Sequence, residues 1–140
     1  NTKMKLNGKS IPLPTDQRYA INFFFTDYFP NTDRWKMSLK LAFADGLPFS
    51  APHQEMENNS FRAPAYKRAD IGLSYRVLNN EKQTVKKFCK NIWLGIDCLN
   101  LFGINNVNSY YWVTDVTNHQ YAVPNYLTGR MMNLRLQFDF

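Results

Sequence analysis

Five stretches of this chain alternate apolar and polar residues with a period of two. In the clearest stretch, the apolar positions are Trp35, Met37, Leu39, Leu41 and Phe43. Residues at this spacing share one face of a β-strand, whereas on a helix they would spread around the whole circumference. The sequence therefore predicts an all-β fold with five antiparallel strands, near residues 18–29, 35–48, 64–78, 91–103 and 130–140.

The last of these strands carries the pattern to Phe140. Its apolar positions are Met132, Leu134, Leu136, Phe138 and Phe140, and its polar positions are Asn133, Arg135, Gln137 and Asp139. Such a strand can rest its apolar face on a protein core or turn it towards lipid. Strand length and loop length decide between these two environments.

The predicted strands are long, and the connections between them alternate between short and long. About 9–11 tilted residues cross the hydrocarbon core of a bilayer, and outer-membrane barrels have short periplasmic turns and long extracellular loops. Pro30–Asp33 is a tight turn. Gly46 and Pro48 begin a long connection that runs through Ala63, and Ile104–Gly129 is a second one. The pattern therefore predicts the wall of a transmembrane β-barrel with extracellular long loops and a periplasmic C-terminus.

Two connections carry further predictions. Pro12 and Pro14 favour a loop over residues 1–17. Within the last long connection, Ser109–Val116 and Gln120–Val123 are predicted to pair as a protruding hairpin.

The non-lipid faces of the predicted strands carry charge. These residues are Lys36, Lys40, Arg68, Asp70, Arg76, Asp97, Arg135 and Asp139. A dry core would require each charge to be paired, while a barrel lumen or a solvent-facing surface would not. A soluble all-β binding module, such as an adhesin or a carbohydrate-binding sandwich, therefore stays an alternative.

Composition narrows the function classes. The aromatic content of 16% suits either a β-rich core or the aromatic belts of a membrane barrel, for which the candidates are Tyr19, Trp35, Phe43, Tyr66, Trp93 and Phe138. The net charge of +6 is spread along the chain without a nucleic-acid-binding motif, so nucleic acid is not an expected partner. Cys89 and Cys98 are predicted to lie too far apart along extended chain to form a disulfide.

Five strands cannot close a membrane barrel, because eight is the practical minimum and open edges in lipid leave backbone groups unpaired. We therefore expect the chain to be the C-terminal part of a larger barrel, or a subunit of a multi-chain outer-membrane assembly. It begins at Asn1 without an initiator Met, which fits a processed protein or a piece of a longer one.

Three stretches, taken in order, carry a family resemblance. They are F-R-A-P-A-Y-K-R-A-D-I-G-L-S-Y-R from Phe61, N-I-W-L-G-I-D-C-L-N-L-F-G-I-N-N-V-N-S-Y-Y-W-V-T-D-V from Asn91, and Y-A-V-P-N-Y-L-T-G-R followed by the final strand. The chain from about Ile11 onwards resembles the C-terminal barrel segment of TonB-dependent outer-membrane receptors, most of all those of Bacteroidetes-type bacteria. The N-L-F at Asn100–Phe102 and the terminal Phe140 are the most recognisable points.

The resemblance implies a barrel of about 22 strands around an N-terminal plug. It implies uptake of a large nutrient, such as an iron chelate, haem, cobalamin or a glycan, powered by the inner-membrane TonB complex. Phe138 and Phe140 would belong to the signal that the barrel-assembly machinery reads. The plug and the TonB-contacting segment are not among these residues, so transport is assigned to the whole parent protein.

No catalytic, metal or cofactor site is predicted. His53 and His119 each stand alone, and Glu55 and Glu57 near His53 suit a solvated loop. The ligand candidates are the aromatic residues and the histidine of the last long loop: Tyr110, Tyr111, Trp112, His119, Tyr121 and Tyr126. The charged strand faces are expected to contact the plug, and the lysines between Lys82 and Lys90 are expected to form a solvated periplasmic turn.

Overall fold

A computed structural model describes residues 3–6, 9–50, 61–79 and 90–140 of the chain. Within these ranges the protein is all-β: 67% of the residues lie in strands and none lies in a helix. The eleven strands are β1 Lys3–Leu6, β2 Lys9–Pro12, β3 Ala20–Tyr28, β4 Trp35–Ala44, β5 Pro48–Phe49, β6 Phe61–Arg62, β7 Tyr66–Asn79, β8 Asn91–Leu99, β9 Val107–Thr114, β10 Gln120–Tyr126 and β11 Met131–Asp139. The part of the chain described here has no helix long and apolar enough to span a membrane.

The chain divides into two compact units. The first, here called the loop unit, comprises Asn1–Ile21, Ala42–Lys67 and Asn105–Gly129. The second, here called the sheet unit, comprises Asn22–Leu41, Arg68–Ile104 and Arg130–Phe140.

The sheet unit is built on a five-stranded antiparallel sheet in the order β11-β8-β7-β4-β3. Arg135 of β11 faces Gly95 of β8, which in turn faces Ser74 of β7. Because side chains alternate between faces at a period of two, this register aligns the polar positions of the strands in one row. The neighbouring row aligns Leu134, Ile96 and Leu73.

The apolar face of this sheet is exposed. Leu134 is 70% exposed, Phe23 52% and Ile96 50%. Among the described residues, the buried apolar side chains are Ile11, Ala42, Ala69 and Cys98. A sandwich of this size would bury a row of large side chains from each strand, and no such core is present in the ranges described.

The strand predictions need three boundary corrections. The strand expected at 35–48 ends at Ala44, and Pro48–Phe49 forms a separate short strand. The strand expected at 64–78 starts at Tyr66 and has its register shift between Arg76 and Leu78. The strand expected at 91–103 ends at Leu99, because a turn follows it.

Asn100 makes this turn. Its φ of 52° is left-handed, a conformation that Asn tolerates better than most residues because its side chain can bond locally. The side-chain amide donates to the carbonyl oxygen of Ile104 at 2.9 Å and accepts from the amide of the same residue at 3.0 Å. Gly103, at φ 63°, completes the turn. In the N-L-F sequence, Asn100 therefore makes the turn that follows β8, while the side chain of Phe102 is exposed.

The loop unit consists of short hairpins. β1 pairs with β2, so the prediction of a loop over residues 1–17 is wrong for Lys3–Leu6 and Lys9–Pro12. β9 pairs with β10, which confirms the predicted hairpin. The first strand begins at Val107 and ends at Thr114, two residues before the predicted end at Val116, and the second strand continues to Tyr126. The buried Asn106 precedes the hairpin, and its side-chain amide bonds both the N–H and the carbonyl of Lys67, at 2.9 and 2.8 Å. The side chain of Asn106 therefore satisfies the backbone N–H and carbonyl of Lys67, as a neighbouring strand would.

Candidate functional site

The polar face of the five-stranded sheet carries most of the residues predicted to face a lumen. A cavity of about 590 Å³ lies on this face. Its charged lining residues are Lys36, Arg76, Arg135 and Asp139.

One end of this face is organised around Arg76. The side chain is 8% exposed, forms an ion pair with Asp33 in the turn before β4, and lies 5.3 Å above the ring of Trp93. Lys36 stands 5.7 Å from the ring centre of Tyr28, whose own ring lies 6.3 Å from Trp93. Arg76 is buried but its partner Asp33 is 72% exposed, so this ion pair reaches the solvent. The two cations over aromatic faces stabilise this charged end of the sheet.

This arrangement corrects two of the aromatic belt candidates. Trp93 lines the polar cavity instead of the apolar face. Tyr66 falls on the alternation of Arg68 and Asp70, so it too belongs to the polar face of β7. Strand parity alone would have placed both residues correctly.

The middle of the polar face is a cross-strand network made possible by glycine. Arg135 donates from Nη2 to Oγ of Ser74 at 3.1 Å and to Oδ1 of Asp97 at 3.3 Å. A Cβ added to Gly95 would lie 3.2 Å from Nε of Arg135. A Cβ on Gly72 would lie 2.5 Å from Oδ1 of Asp97. The two glycines therefore leave the space in which the larger side chains cross the sheet.

The far end of β7 holds a second ion pair. Nε of Arg68 donates to Oδ1 of Asp70 at 2.6 Å, and the same oxygen accepts from the amide of Asn100 at 2.8 Å. Lys40 shares a face of β4 with Lys36 and Ser38, two positions apart along the strand. The eight predicted polar-face residues thus form separate clusters along the sheet. These clusters suit binding to polar groups, and no described set of three His, Cys, Asp or Glu residues could hold a metal ion.

The loop unit contains a clamp that the sequence did not reveal. Arg62 donates to the backbone oxygen and to Oδ2 of Asp16, both at 3.0 Å, and to Oδ2 of Asp45 and the carbonyl of Gly46, both at 2.8 Å. Asp16 is 1% exposed. One guanidinium therefore ties two distant segments, at Asp16 and at Asp45–Gly46, to the strand of Arg62, and its planar fork reaches both.

Asp45 also binds a second arginine, Arg18. Nε of Arg18 donates to Oδ2 of Asp45 at 2.6 Å. This hydrogen bond is the main reason that the pKa of Asp45 is lowered and the pKa of Arg18 is raised. Asp45 is therefore a carboxylate at neutral pH.

An aromatic cavity of about 310 Å³ lies beside the clamp, within the loop unit. The ring of Phe49 stacks on Tyr110 with centroids 4.5 Å apart and on Phe61 at 5.7 Å. None of the lining residues that the structure describes is charged; they are Pro14, Leu47, Pro48, Phe49, Ser50, Ala63, Val107, Asn108, Ser109, Tyr110 and Trp112.

The structure separates the predicted ligand residues. Tyr110 and Trp112 lie on one face of the β9–β10 hairpin and line this cavity. Tyr111 and Tyr121 alternate onto the opposite face and are 62% and 57% exposed. Only two of the six predicted residues therefore share a site.

The other two candidates stand apart from the cavity. His119 lies in the hairpin turn, where its Nδ1 is 2.9 Å from Oγ1 of Thr117. Tyr126 is exposed at the end of β10. The cavity wall formed by Leu47–Ser50 and Ala63 was not predicted, because its contacts join segments far apart in the chain.

Several predicted residues lie outside the described ranges: His53, Glu55, Glu57, Cys89 and the lysines at 82, 86 and 87. Cys98 is a buried free thiol, as expected for a small apolar residue. Comparison with protein-family models, curated proteins and solved structures gave no match to this chain.

Proposed function

We propose that this chain is the C-terminal wall of a TonB-dependent outer-membrane transporter for a large nutrient. The resemblance of the segments around Phe61, Asn91 and Phe140 suggests the family. The two faces of the five-stranded sheet support the membrane placement.

The observation that carries the proposal is the exposed apolar face. Strand after strand presents large apolar side chains to the surroundings, including Phe23, Phe25, Leu73, Leu94, Ile96, Leu134 and Leu136. Removing each such side chain from water is worth roughly 1.5–3 kcal/mol, so water is an unfavourable solvent for this face. Lipid imposes no such cost. The same observation disfavours a soluble sandwich, which would cover this face with a second sheet.

The opposite face suits a lumen. Its ion pairs and crossing side chains stay hydrated or meet polar groups of a plug, as in large outer-membrane barrels. In this proposal Lys36, Arg76, Arg135 and Asp139 contact the plug or line the nutrient path. The long connections are extracellular and the end of β11 is periplasmic.

The edges of the sheet indicate where the rest of the barrel joins. In the described part of the chain β3 and β11 each have one neighbouring strand. Unpaired strand edges in hydrocarbon cost several kcal/mol per backbone group. The remaining strands come from the same parent protein in our proposal; a second chain of a multi-chain assembly would satisfy the edges equally well.

Detergent dependence tests the membrane placement. We expect the chain to stay monodisperse and folded only in detergent, lipid or the presence of its partner strands. A folded, monodisperse chain in plain buffer would contradict the proposal.

A deletion tests the transport role. Removing β11 in the bacterium that makes the parent protein is expected to abolish uptake of one probe among ferric citrate, haemin, cyanocobalamin and maltodextrin, as loss of TonB does. The relevant probe is the one whose entry requires both the parent protein and TonB. If the β11 deletion leaves uptake of that probe unchanged, the transport role is refuted.

A further inference from the structure

We infer that the aromatic cavity of the loop unit is a binding site for an uncharged, largely apolar ring. The inference goes beyond the membrane proposal, because the cavity and its clamp lie within one unit and need no lipid. Four observations carry it.

The first observation is that the cavity wall is held in place before any ligand arrives. Arg62 binds Asp16, Asp45 and Gly46. Pro14, Leu47 and Ala63 lie one or two residues from these anchor points and line the cavity. The backbone segments at Gly46 and Ala63 lie so close together that a Cβ added to Gly46 would be 1.6 Å from the carbonyl oxygen of Ala63. A preformed wall lowers the entropic cost of binding.

The second observation is the chemistry of the lining. Among the described residues, no carboxylate, ammonium or guanidinium lines the cavity. A buried ligand charge would find no partner among these side chains, and an unpaired buried charge costs far more than an unpaired dipole. The cavity selects against anionic chelates and against the carboxylates of haem.

The third observation is the stack of rings. Phe49 and Tyr110 are tilted by only 22°, and Trp112 lies two residues further along the same face of β9. Parallel aromatic surfaces favour a flat apolar group in offset stacking. The polar groups of the lining are Ser50, Asn108 and Ser109. They can bond a single hydroxyl or amide on the ring.

The fourth observation is size. A volume of about 310 Å³ is at the lower end of small-molecule sites. It admits one or two fused rings, so a larger ligand would insert only one ring-bearing arm.

The test uses the three tryptophans of the chain as reporters. In 5-fluorotryptophan-labelled protein, folded in detergent or in whatever medium keeps it folded, benzyl alcohol is titrated while fluorine NMR follows Trp35, Trp93 and Trp112. Trp112 reports on the cavity, Trp35 on the apolar face and Trp93 on the polar face. We expect a saturable shift at Trp112 alone. A concentration-proportional drift of all three signals would mean partition into detergent and would overturn the inference.

Matched ligands and variants sharpen the result. Benzoate has the same ring with a charge, and we expect it to bind at least about tenfold more weakly despite the basic protein. Tyr110→Leu keeps apolar bulk but removes the ring, and should weaken benzyl alcohol binding about fivefold. Tyr111→Leu, on the other face of the same hairpin, should leave binding unchanged. Equal effects of the two substitutions would refute the assignment.

Two further outcomes are decisive. If Tyr110→Leu disturbs the hairpin, Ala63→Val narrows the cavity from the opposite wall and should weaken binding while the dispersion of the three fluorine signals is kept. Tighter binding of methyl glucoside than of benzyl alcohol would show that the site takes a hydroxylated ring, which contradicts the inference. If benzyl alcohol does not bind but the chain still folds only in detergent, the inference about the cavity is wrong and the membrane proposal is unaffected.

Discussion

Replacing Gly72 by alanine is expected to destabilise the sheet, because the polar face is packed through its glycines. The new Cβ would lie 2.5 Å from both Oδ1 of Asp97 and Oγ of Ser38. Ser38 can rotate away, but Asp97 is held by Arg135 at 3.3 Å. Overpacking of this kind costs about 1–3 kcal/mol. Alanine also restricts the unfolded chain, which stabilises the folded protein by about 0.4–1 kcal/mol. The net loss of stability should therefore be about 1 kcal/mol, within a range of about 0–2.6 kcal/mol.

Two other glycines supply the controls. A Cβ on Gly95 would lie 3.1 Å from Oγ of Ser74, and a Cβ on Gly129 would meet nothing within 4 Å. Gly95→Ala should therefore cost less than Gly72→Ala, because Ser74 and Arg135 have to shift by only a few tenths of an ångström. Gly129→Ala should be neutral or stabilising by a few tenths of a kcal/mol. Urea unfolding in detergent, followed by tryptophan fluorescence, measures the three variants against the parent chain.

The order of the three stabilities is the refutable result. Equal stability of Gly72→Ala and Gly129→Ala would show that the polar face has room across β4, β7 and β8. A double variant with Ser38→Gly should recover part of the loss, because it removes one of the two clashing atoms.

Three further changes test separate parts of the structure. Since the pKa of Asp45 is lowered in the folded state by Arg18, the stability that its ionised form contributes is complete above the carboxyl's ordinary pKa of 3.8 and is lost as the pH falls through the lowered pKa. Amide protection factors near the clamp, which correct for the intrinsic pH dependence of exchange, should therefore fall in acid, and in Asp45→Asn that fall should be missing. Asn100→Ala should cost about 1–2 kcal/mol in chemical unfolding, and Asn100→Gly, which keeps the left-handed backbone, should cost less; equal losses would refute a conformational role. Leu134→Arg should lower the free energy of unfolding in lipid by about 2–4 kcal/mol, and Phe138→Arg, nearer the strand end, should lower it clearly less. Equal losses in bilayer refolding assays would contradict a lipid-facing β11.

Much of the sheet follows from local pattern. β3, β4, β7, β8 and β11 show alternation long enough to exclude a helix, and the hairpin of β9 and β10 is bracketed by turn residues. The same parity, applied strictly, would have moved Trp93 to the polar face.

The missed elements have physical reasons. β1 and β2 are too short to show periodicity, although the Asn7-Gly8 dipeptide between them is a hairpin signal that outweighs the nearby prolines. β8 ends where Asn100 adopts a left-handed backbone conformation. An Asn in a sequence does not by itself indicate this conformation, so the end of the strand could not be predicted. The sequence alone therefore predicts the strands better than their ends.

The candidate sites were predictable only in part. The charged face follows from the alternation of the strands, but the aromatic cavity depends on Phe49 reaching Tyr110 across 61 positions of sequence. Arg62 likewise joins segments that no local pattern connects. Long-range contacts of this kind need the fold before they can be seen.

Spin-label accessibility along β11 tests the central claim most directly. Labels are placed in turn at Leu134, Arg135, Leu136 and Gln137 of a chain whose two native cysteines have been replaced, and the protein is reconstituted in lipid vesicles. We expect collisions with oxygen to be high at the two leucine positions and collisions with a water-soluble nickel complex to be high at Arg135 and Gln137. Low access of both reagents at Leu134 and Leu136 would place this face in a protein core and contradict the account.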